Sequence, residues 1–391
     1  APQMLVSSIS YSPFMGRLAI GKITGGSFKV NQDAKVMRDK KPLETGRITK
    51  VFHFKANEQV EVPEAGCGDI VAIAGLQDVT IGDTITAPVN PVCIDGVKID
   101  PPTMSVTFLP NDSPFAGREG EFVTGNQIKD RLIRETLADV ALTVEPSSTT
   151  SGYIVSGRGE LHLSILIERM RREGYEFQVS RPQVLMKVVD GKKLEPYEEL
   201  TIDVPEQHSG KIIETLGALK GEMLEMIQNG AMTRLKYSIP TRGLMGYQTE
   251  FMTYTKGEGT LNYMFEKYGP FVGEIKTRKN GVLISKETCE TIAFALQNLQ
   301  QRGTLFMGPG HKIYGGQIIG QSARDDDMVV NPGKGKKLSN MRASGTDENI
   351  VLSPPKILSL EQMLSFISDD ELVEVTPKNI RLRKKDLNVK V

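Results

Sequence analysis

The segment TGNQIKDRLI, residues 124–133, determines the fold that the sequence predicts for the middle of the chain. Its first four residues have the Thr-x-x-Gln spacing of a capping box, which marks the start of a helix. Ile128, Leu132 and Ile133 are spaced to face the interior from that helix. An alternating apolar segment at 104–109 precedes it, so the first two elements are a strand and a helix.

The residues that follow complete a β-α-β-β-α-β order. Further strands are predicted at 140–144, 153–155 and 177–179. A second helix is predicted from about Gly159 to Glu173, with Gly174 as its C-terminal stop. Its inward face is predicted to carry Leu161, Ile165 and Met170. This order is typical of a ferredoxin-like α/β domain, which we place at residues 103–181.

Residues 182–273 repeat this plan. Leu200, Ile202 and Val204 alternate as a strand, and Ser209 is spaced to cap a helix that ends at Gly221. That helix is predicted to bury Ile212, Leu216 and Leu219. One further helical face is predicted to carry Leu244, Tyr247, Phe251 and Tyr254. The sequence therefore predicts a second ferredoxin-like domain, and the whole chain is expected to be multidomain α+β.

Residues 1–90 are short β-rich segments separated by glycine and proline, which is typical of an all-β barrel. Within them, GRLAIGKI at 16–23 matches the G-x-x-x-x-G-K spacing of a phosphate loop, but Ile23 stands where a Ser or Thr binds Mg²⁺. The flanking β-formers favour strand, bend and strand over the strand, loop and helix that cradles a phosphate. We therefore expect no nucleotide-hydrolysing module within these residues.

Composition limits the class of protein. Lys+Arg and Asp+Glu are both 48 in 391 residues, so net charge favours no partner and any charge signal is local. Cys67, Cys93 and Cys289 lie far apart without C-x-x-C spacing, which favours reduced thiols over disulfides or a zinc site. No apolar segment approaches the length of about 18 residues that a membrane-spanning helix needs. We expect a cytoplasmic, monomeric protein that has no membrane partner.

The local charge signal lies in residues 274–391, which we predict to be a mixed α/β domain. From Lys276 onward there are 18 Lys or Arg against 13 Asp or Glu, and no acid lies between Asn331 and Thr346. The basic and hydrogen-bonding side chains of that loop are Lys334, Lys336, Lys337, Ser339, Asn340, Arg342, Ser344 and Thr346. This mixture suits contacts to phosphate and ribose. A solvated basic loop is the alternative.

Other basic residues of this last stretch are weaker candidates. Arg278 and Lys279 precede a predicted strand and are included as RNA contacts. The run Arg381–Lys385 is predicted as an edge strand whose Arg381 and Arg383 face water, with RNA contact as the alternative. After Ser359, a capping box completed by Gln362 predicts a core helix.

Histidines and acidic clusters give little sign of catalysis. His208 lies just ahead of a predicted helix, where it either helps to present backbone N–H groups to a phosphate or forms a local turn. His162 is predicted to be a packing or capping residue. Asp325–Asp327 is predicted to be a solvated turn rather than a cation site. Because no nucleophile and base are paired, no catalytic residue and no metal site are predicted.

Long motifs carry a resemblance to a known family. GRGELHL at 157–163 resembles a segment in the third domain of elongation factor G, and IPTRGLMGY at 239–247 resembles part of its fifth domain. The barrel resembles the second domain of such factors. NGVLI at 280–284 and KKLSNMRASGTDE at 336–348 resemble the C-terminal domain of the BipA (TypA) family of ribosome-associated translational GTPases. The family's N-terminal GTPase domain has no counterpart here, so a C-terminal fragment is expected.

The resemblance implies a function for the chain. It implies docking in the factor site between the subunits of the 70S ribosome and contacts with ribosomal proteins, rRNA and the A-site tRNA through the loop at 331–346. It also implies a role in 50S assembly and in translation under stress or at low temperature. Arg242, inside the second matched motif, joins the RNA-binding candidates. GTP and Mg²⁺ are implied for the missing domain, and no cofactor for residues 1–391.

Two alternatives remain open. One is another elongation-factor relative that acts in translocation or peptide release, although the segment at 336–348 argues against it. The other is a protein-interaction scaffold that does not bind RNA, which the balanced total charge supports.

Overall fold

The structure, a computed structural model, describes residues 1–55, 58–96, 101–275, 278, 280–335 and 351–388. The chain forms two compact units. One consists of Ala1–Pro102 and Lys129–Val144, and the other of Thr103–Ile128 and Glu145–Val391. The fold is multidomain α+β, with large sheets and short helices. No helix in the described ranges is long and apolar enough to cross a membrane.

Strands make up the regular structure of the first hundred residues. They are β1 (Gln3–Ser12), β2 (Gly16–Gly25), β3 (Ser27–Lys29), β4 (Asp33–Arg38), β5 (Lys41–Arg47), β6 (Lys50–Lys55), β7 (Glu58–Val62), β8 (Glu64–Gly66), β9 (Ile70–Ala74) and β10 (Thr84–Thr86). One eight-stranded sheet has the order β5-β4-β10-β1-β2-β9-β6-β7, and β3 pairs with β8. Because β5 and β7 are the two ends of this order among the described residues, closure into the predicted barrel stays a prediction.

The phosphate-loop-like segment 16–23 lies within β2. Ile23 is buried in the core of this sheet. A Cβ at Gly21 would lie 2.1 Å from the carbonyl oxygen of Leu5, so the close approach of β1 and β2 requires glycine there. This segment therefore forms a strand, as its flanks predict, and the phosphate-loop interpretation of it is wrong.

Residues 103–181 contain the predicted order of elements. They are β11 (Met104–Pro110), α1 (Gly125–Ala138), β12 (Thr143–Pro146), β13 (Tyr153–Gly157), α2 (Glu160–Arg172) and β14 (Phe177–Ser180). The strands lie side by side as β12-β13-β11-β14. The predicted capping box is confirmed, because the Gln127 N–H donates to Thr124 Oγ1 at 3.3 Å and the Thr124 N–H donates to Gln127 Oε1 at 3.0 Å.

The predicted inward faces of these helices are partly wrong. Ile128 and Leu132 are buried, but Ile133 is 42% exposed. In α2, Leu161 is 61% and Ile165 48% exposed. The buried face carries Leu163, Leu166, Ile167 and Met170. These positions follow the i, i+3, i+4, i+7 spacing of one helical stripe, which the predicted set does not.

Residues 182–273 form a further sheet with helices. The elements are β15 (Gln183–Val184), β16 (Lys187–Val189), β17 (Lys192–Pro205), α3 (Glu206–Ala218), β18 (Glu222–Asn229), β19 (Met232–Pro240), α4 (Thr241–Leu244), α5 (Tyr247–Tyr254) and β20 (Thr260–Pro270). β17 lies between β20 and β19, and β18 follows β19. Leu200, Ile202 and Val204 are buried as predicted.

Two helix boundaries in this module differ from the prediction. Ser209 lies inside α3 rather than at its cap, because the helix begins at Glu206 with Pro205 as its N-cap residue. The helical face predicted from Leu244 to Tyr254 is divided between α4 and α5. Gly246, at a φ of +74°, separates the two helices in the left-handed region that favours glycine.

Residues 280–388 continue the sheet of residues 103–181. The elements are β21 (Val282–Ser285), β22 (Cys289–Glu290), α6 (Ala293–Leu299), β23 (Gly303–Leu305), β24 (Lys312–Ile313), β25 (Gln317–Ser322), β26 (Met328–Val330), α7 (Leu360–Phe366), β27 (Glu371–Val375) and β28 (Ile380–Lys384). β14 pairs with β27, so one eleven-stranded sheet runs across both predicted domains. The capping box of Ser359 and Gln362 on α7 is confirmed.

Glu160, inside the GRGELHL motif, joins three modules. Its carboxylate accepts hydrogen bonds from the Ser365 hydroxyl on α7 and, at 3.3 Å, from the Gly246 N–H before α5. Burial raises the pKa of Glu160 and outweighs these two bonds, which lower it. His162 is confirmed as a capping residue, because its Nδ1 accepts from the Arg158 N–H at 3.3 Å.

The raised pKa of Glu160 predicts a pH dependence. Because the pKa of Glu160 is higher in the folded chain than in the unfolded chain, this carboxyl group favours folding fully at a pH below its unfolded-state pKa of 4.5. That contribution to the unfolding free energy is lost as the pH rises through the folded-state pKa. Glu160→Gln removes this titration. We expect the difference in unfolding free energy, natural chain minus variant, to be larger at pH 5 than at pH 8 in parallel denaturant titrations. Parallel pH profiles would contradict the assignment.

Candidate nucleic-acid interface

The described base of the predicted loop is anchored to residues 287–292. It begins after β26, where the Pro332 carbonyl accepts from the Ile292 N–H at 3.0 Å and Asn331 donates to Glu287. A Cβ at Gly333 would lie 2.8 Å from Cys289, so only glycine passes over this point without a shift. Lys334 follows with an exposed side chain. The described start of the loop is therefore anchored, and it carries an exposed lysine.

The remaining predicted loop residues lie outside the described residues. They are Lys336, Lys337, Ser339, Asn340, Arg342, Ser344 and Thr346, and Lys279 lies outside them too. For these positions RNA contact stays a prediction.

Two exposed lysines near the loop root were missed by sequence reasoning. The Lys286 N–H donates to the Val330 carbonyl at 2.8 Å, directly before the loop. Lys312 on β24 is paired in register with Glu290 on β22, next to Gly333. Strand pairing alone brings these lysines near Lys334, so no local pattern predicts the grouping. Glu287 and Glu290 are also exposed in these segments, so the lysines share this surface with two carboxylates.

Arg278 has a structural partner instead of a free guanidinium. Its NH1 and NH2 groups donate to both oxygens of the fully buried Glu371 at 2.8 Å. Its guanidinium also lies 4.8 Å from the Phe366 ring centroid. These contacts engage both terminal guanidinium nitrogens and leave the side chain 13% exposed. The predicted role of Arg278 as an RNA contact is therefore not favoured by its surroundings.

The basic run Arg381–Lys385 forms an internal strand, which corrects the edge-strand prediction. β28 lies between β27 and β25. Arg383 is 1% exposed and donates to Asp112 and Gln178, while Arg381 donates to Glu119 at 2.6 Å and Glu374 at 3.2 Å. Acids from distant segments therefore neutralise this strand, and its arginines do not face water.

Lys384 provides the cation for an acidic cluster. Its ammonium lies 2.6 Å from Asp327, 2.8 Å from Asp370 and 2.9 Å from Glu371. Burial disfavours the ammonium, but the three carboxylates outweigh it and raise the pKa of Lys384. These carboxylates are close enough together to bind a metal ion. Because the ammonium already lies among them, the cluster is an ion-pair network, in which Asp327 is exposed and also accepts the Val282 N–H at 2.9 Å.

Arg242 and His208 are also engaged within the fold. Arg242 donates to the buried Glu195 and to the Gly273 carbonyl, and it lies 4.5 Å from the Phe271 ring centroid. His208 lies inside α3, not ahead of it, and its Nε2 is 3.5 Å from the carboxylate of Glu258. A carboxylate beside the ring disfavours a phosphate at the same place.

Comparison with known proteins gives matches along most of the chain. The model of the TypA/BipA C-terminal domain matches residues 280–389, that of the elongation factor G C-terminus matches 192–279, and that of elongation factor Tu domain 2 matches 16–86. Three relatives named "Large ribosomal subunit assembly factor BipA" match 88% of the chain. They come from Bacillus subtilis (44% identical), Synechocystis (45%) and Escherichia coli K12 (48%).

The chain is similar to proteins of the BipA/TypA family along 88% of its length. It spans 56% to 58% of the length of these BipA relatives. The family's C-terminal model covers β21 to β28 and includes Lys334, so the loop root described above lies within the part of the chain that resembles BipA specifically.

Proposed function

We propose that this chain is the ribosome-binding part of a translational GTPase that assists assembly of the large ribosomal subunit. The observation that carries this proposal is the 44% to 48% identity, over 88% of the chain, to relatives named as large ribosomal subunit assembly factors. The exposed Lys334, with Lys286 and Lys312 near it, supports an RNA-facing surface at the root of the loop.

Each module has a proposed place in this function. We assign residues 1–90 to a closed barrel like the second domain of translation factors, facing the small subunit. We assign 103–181 and 182–273 to ferredoxin-like domains like the third and fifth domains of elongation factor G, with the latter near large-subunit rRNA. The loop at 331–346 would contact the A-site tRNA. The pairing of β14 with β27 would join residues 280–335, which include the start of the loop, to the sheet of residues 103–181.

The proposal assigns GTP hydrolysis with Mg²⁺ to a domain outside residues 1–391, where it would time association and release. The factor would act as a cytoplasmic monomer on 70S ribosomes and 50S subunits, in contact with ribosomal proteins, and under stress or at low temperature.

Ribosome binding across a salt series tests the proposal. Neutralising Lys334, Lys336, Lys337 and Arg342 together with alanine should weaken binding about ten-fold or more, because each phosphate contact releases counterions. The slope of log affinity against log salt should fall by about one for each cation that no longer binds a phosphate. The measurement is co-sedimentation of the chain with 70S and 50S particles at several salt concentrations.

A matched single substitution provides the control. Lys334→Ala should weaken binding, whereas Lys378→Ala, at another exposed lysine of the same module, should not. Two results would overturn the proposal. One is a ribosome affinity of the natural chain that does not depend on salt, and the other is a variant with all four substitutions that binds ribosomes as tightly as the natural chain.

A further inference from the structure

A cavity of 610 Å³ lies between the helices of residues 182–273 and the sheet and helix of residues 280–388. One wall comes from α3 and α5, with Lys211, Tyr247 and Tyr254. The opposite wall comes from β25 and α7, with Gln321, Gln362 and Phe366. Its volume lies in the usual range of about 300–1,000 Å³ for small-molecule sites.

Hydrogen-bonding capacity in this cavity is not used up by the fold. The Tyr247 hydroxyl is buried and has no hydrogen-bond partner among the described residues. Burial raises the pKa of Tyr247, so the hydroxyl stays a neutral donor. Gln362 uses its amide oxygen to accept the Ser359 N–H at 2.9 Å. Its NH₂ group, like the amide of Gln321, has no partner in the described ranges. The Tyr247 hydroxyl is itself closed off from solvent, so the amides of the half-buried Gln321 and Gln362 are the groups open to a ligand.

Aromatic rings and two lysine side chains line the same cavity. Tyr254 and Phe366 line it beside these polar groups. Lys211 lies 5.9 Å from the Tyr254 ring centroid and pairs with the exposed Glu214 at 3.0 Å, and Glu214 and Glu250 also line the cavity. Lys356 also lines the rim with an exposed side chain. Unpaired bases are recognised by this combination of aromatic surface and amides, and cations bind their phosphates.

We propose that this cavity binds one unpaired nucleotide, with its base on the Tyr254 ring, its polar edge at Gln321 and Gln362, and its phosphate at Lys211 and Lys356. The nucleotide comes either from an RNA strand or from solution. The first source rests on the proposed ribosome-binding function, and the second does not.

Methionine methyl NMR tests the proposal directly, because Met245 lines the cavity. The chain is labelled at methionine methyl groups, and Met245 is assigned through Met245→Leu. AMP, GMP, CMP and UMP are titrated, together with adenosine, inorganic phosphate and a single-stranded RNA hexamer. We expect a saturable shift at Met245 with at least one nucleotide, and no comparable shift at Met226 on the distant strand β18.

Substitutions sort the contributions of base and phosphate. Tyr254→Ala should weaken nucleotide binding about ten-fold, since stacking on one ring contributes about 1–3 kcal/mol. Lys356→Ala should weaken AMP binding about two- to five-fold and leave adenosine unchanged, while Lys378→Ala should change neither. Stronger binding of the hexamer than of AMP assigns the site to RNA, and the reverse order assigns it to a free nucleotide.

Two results would overturn the inference: no shift at Met245 up to millimolar nucleotide, or equal shifts at Met245 and Met226. Ribosome co-sedimentation of the same sample tests the proposed function independently of the nucleotide site. Ribosome binding without a Met245 shift removes the nucleotide site alone, and a Met245 shift without ribosome binding removes the ribosomal role alone.

Discussion

Replacing Glu374 with alanine should lower the unfolding free energy of the second compact unit by about 3–5 kcal/mol. Glu374 is fully buried on β27. It accepts hydrogen bonds from Asn111 and Ser113 at 3.0 Å, from the Tyr314 hydroxyl and from Arg381 at 3.2 Å. Without the Glu374 carboxylate, the buried hydroxyls of Ser113 and Tyr314 lose this acceptor. Arg381 keeps only one of its two carboxylate partners, Glu119. Calorimetry should show the loss as a lower transition temperature.

Milder variants keep this prediction testable if Glu374→Ala does not fold. Glu374→Gln keeps an acceptor oxygen and should lose less stability, and Tyr314→Phe should cost about 1 kcal/mol by removing one donor. Glu58→Ala, at an exposed position of β7, should change little. A loss below about 1 kcal/mol for Glu374→Ala would show that this network does not hold β27 to the segment around Asn111.

Local spacing was sufficient to predict many elements of the fold. The capping boxes at Thr124 and Ser359 are both present, and Leu200, Ile202 and Val204 form a buried strand face. Each of these features is determined within about four residues along the chain, so a sequence pattern records it fully.

Long-range pairing was not predictable in the same way. The basic run of β28 has the composition of a surface strand, yet two of its neutralising acids, Asp112 and Glu119, come from more than 200 residues away. No local pattern records that β14 pairs with β27 and places those acids beside β28. Long-range pairing also explains why some of the predicted RNA-contacting residues are exposed and others are not. Lys334 is exposed as predicted, whereas Arg278 is paired with Glu371 across the fold.

Arg242→Ala should destabilise the second compact unit by about 3–5 kcal/mol, because it leaves the fully buried Glu195 carboxylate without its cation. Arg242 joins Glu195 at the start of β17 to the Gly273 carbonyl, and the Val272 N–H donates to the same carboxylate at 2.9 Å. The planar guanidinium binds two oxygens at once, so Arg242→Lys should restore only part of the stability.

The same variant separates a structural arginine from an RNA-binding one. If Arg242 acts within the fold, Arg242→Ala lowers the transition temperature in calorimetry, and ribosome affinity measured well below that temperature keeps its salt slope. Lys334→Ala should show the opposite pattern, with unchanged thermal stability and a smaller salt slope. An Arg242→Ala chain that melts like the natural one but binds ribosomes with a reduced slope would contradict the pairing with Glu195 and return Arg242 to the RNA-contacting set. A cation that is paired with a buried carboxylate does not bind an RNA phosphate and therefore displaces no counterion from the RNA. Only unpaired lysines and arginines add to the salt dependence of binding.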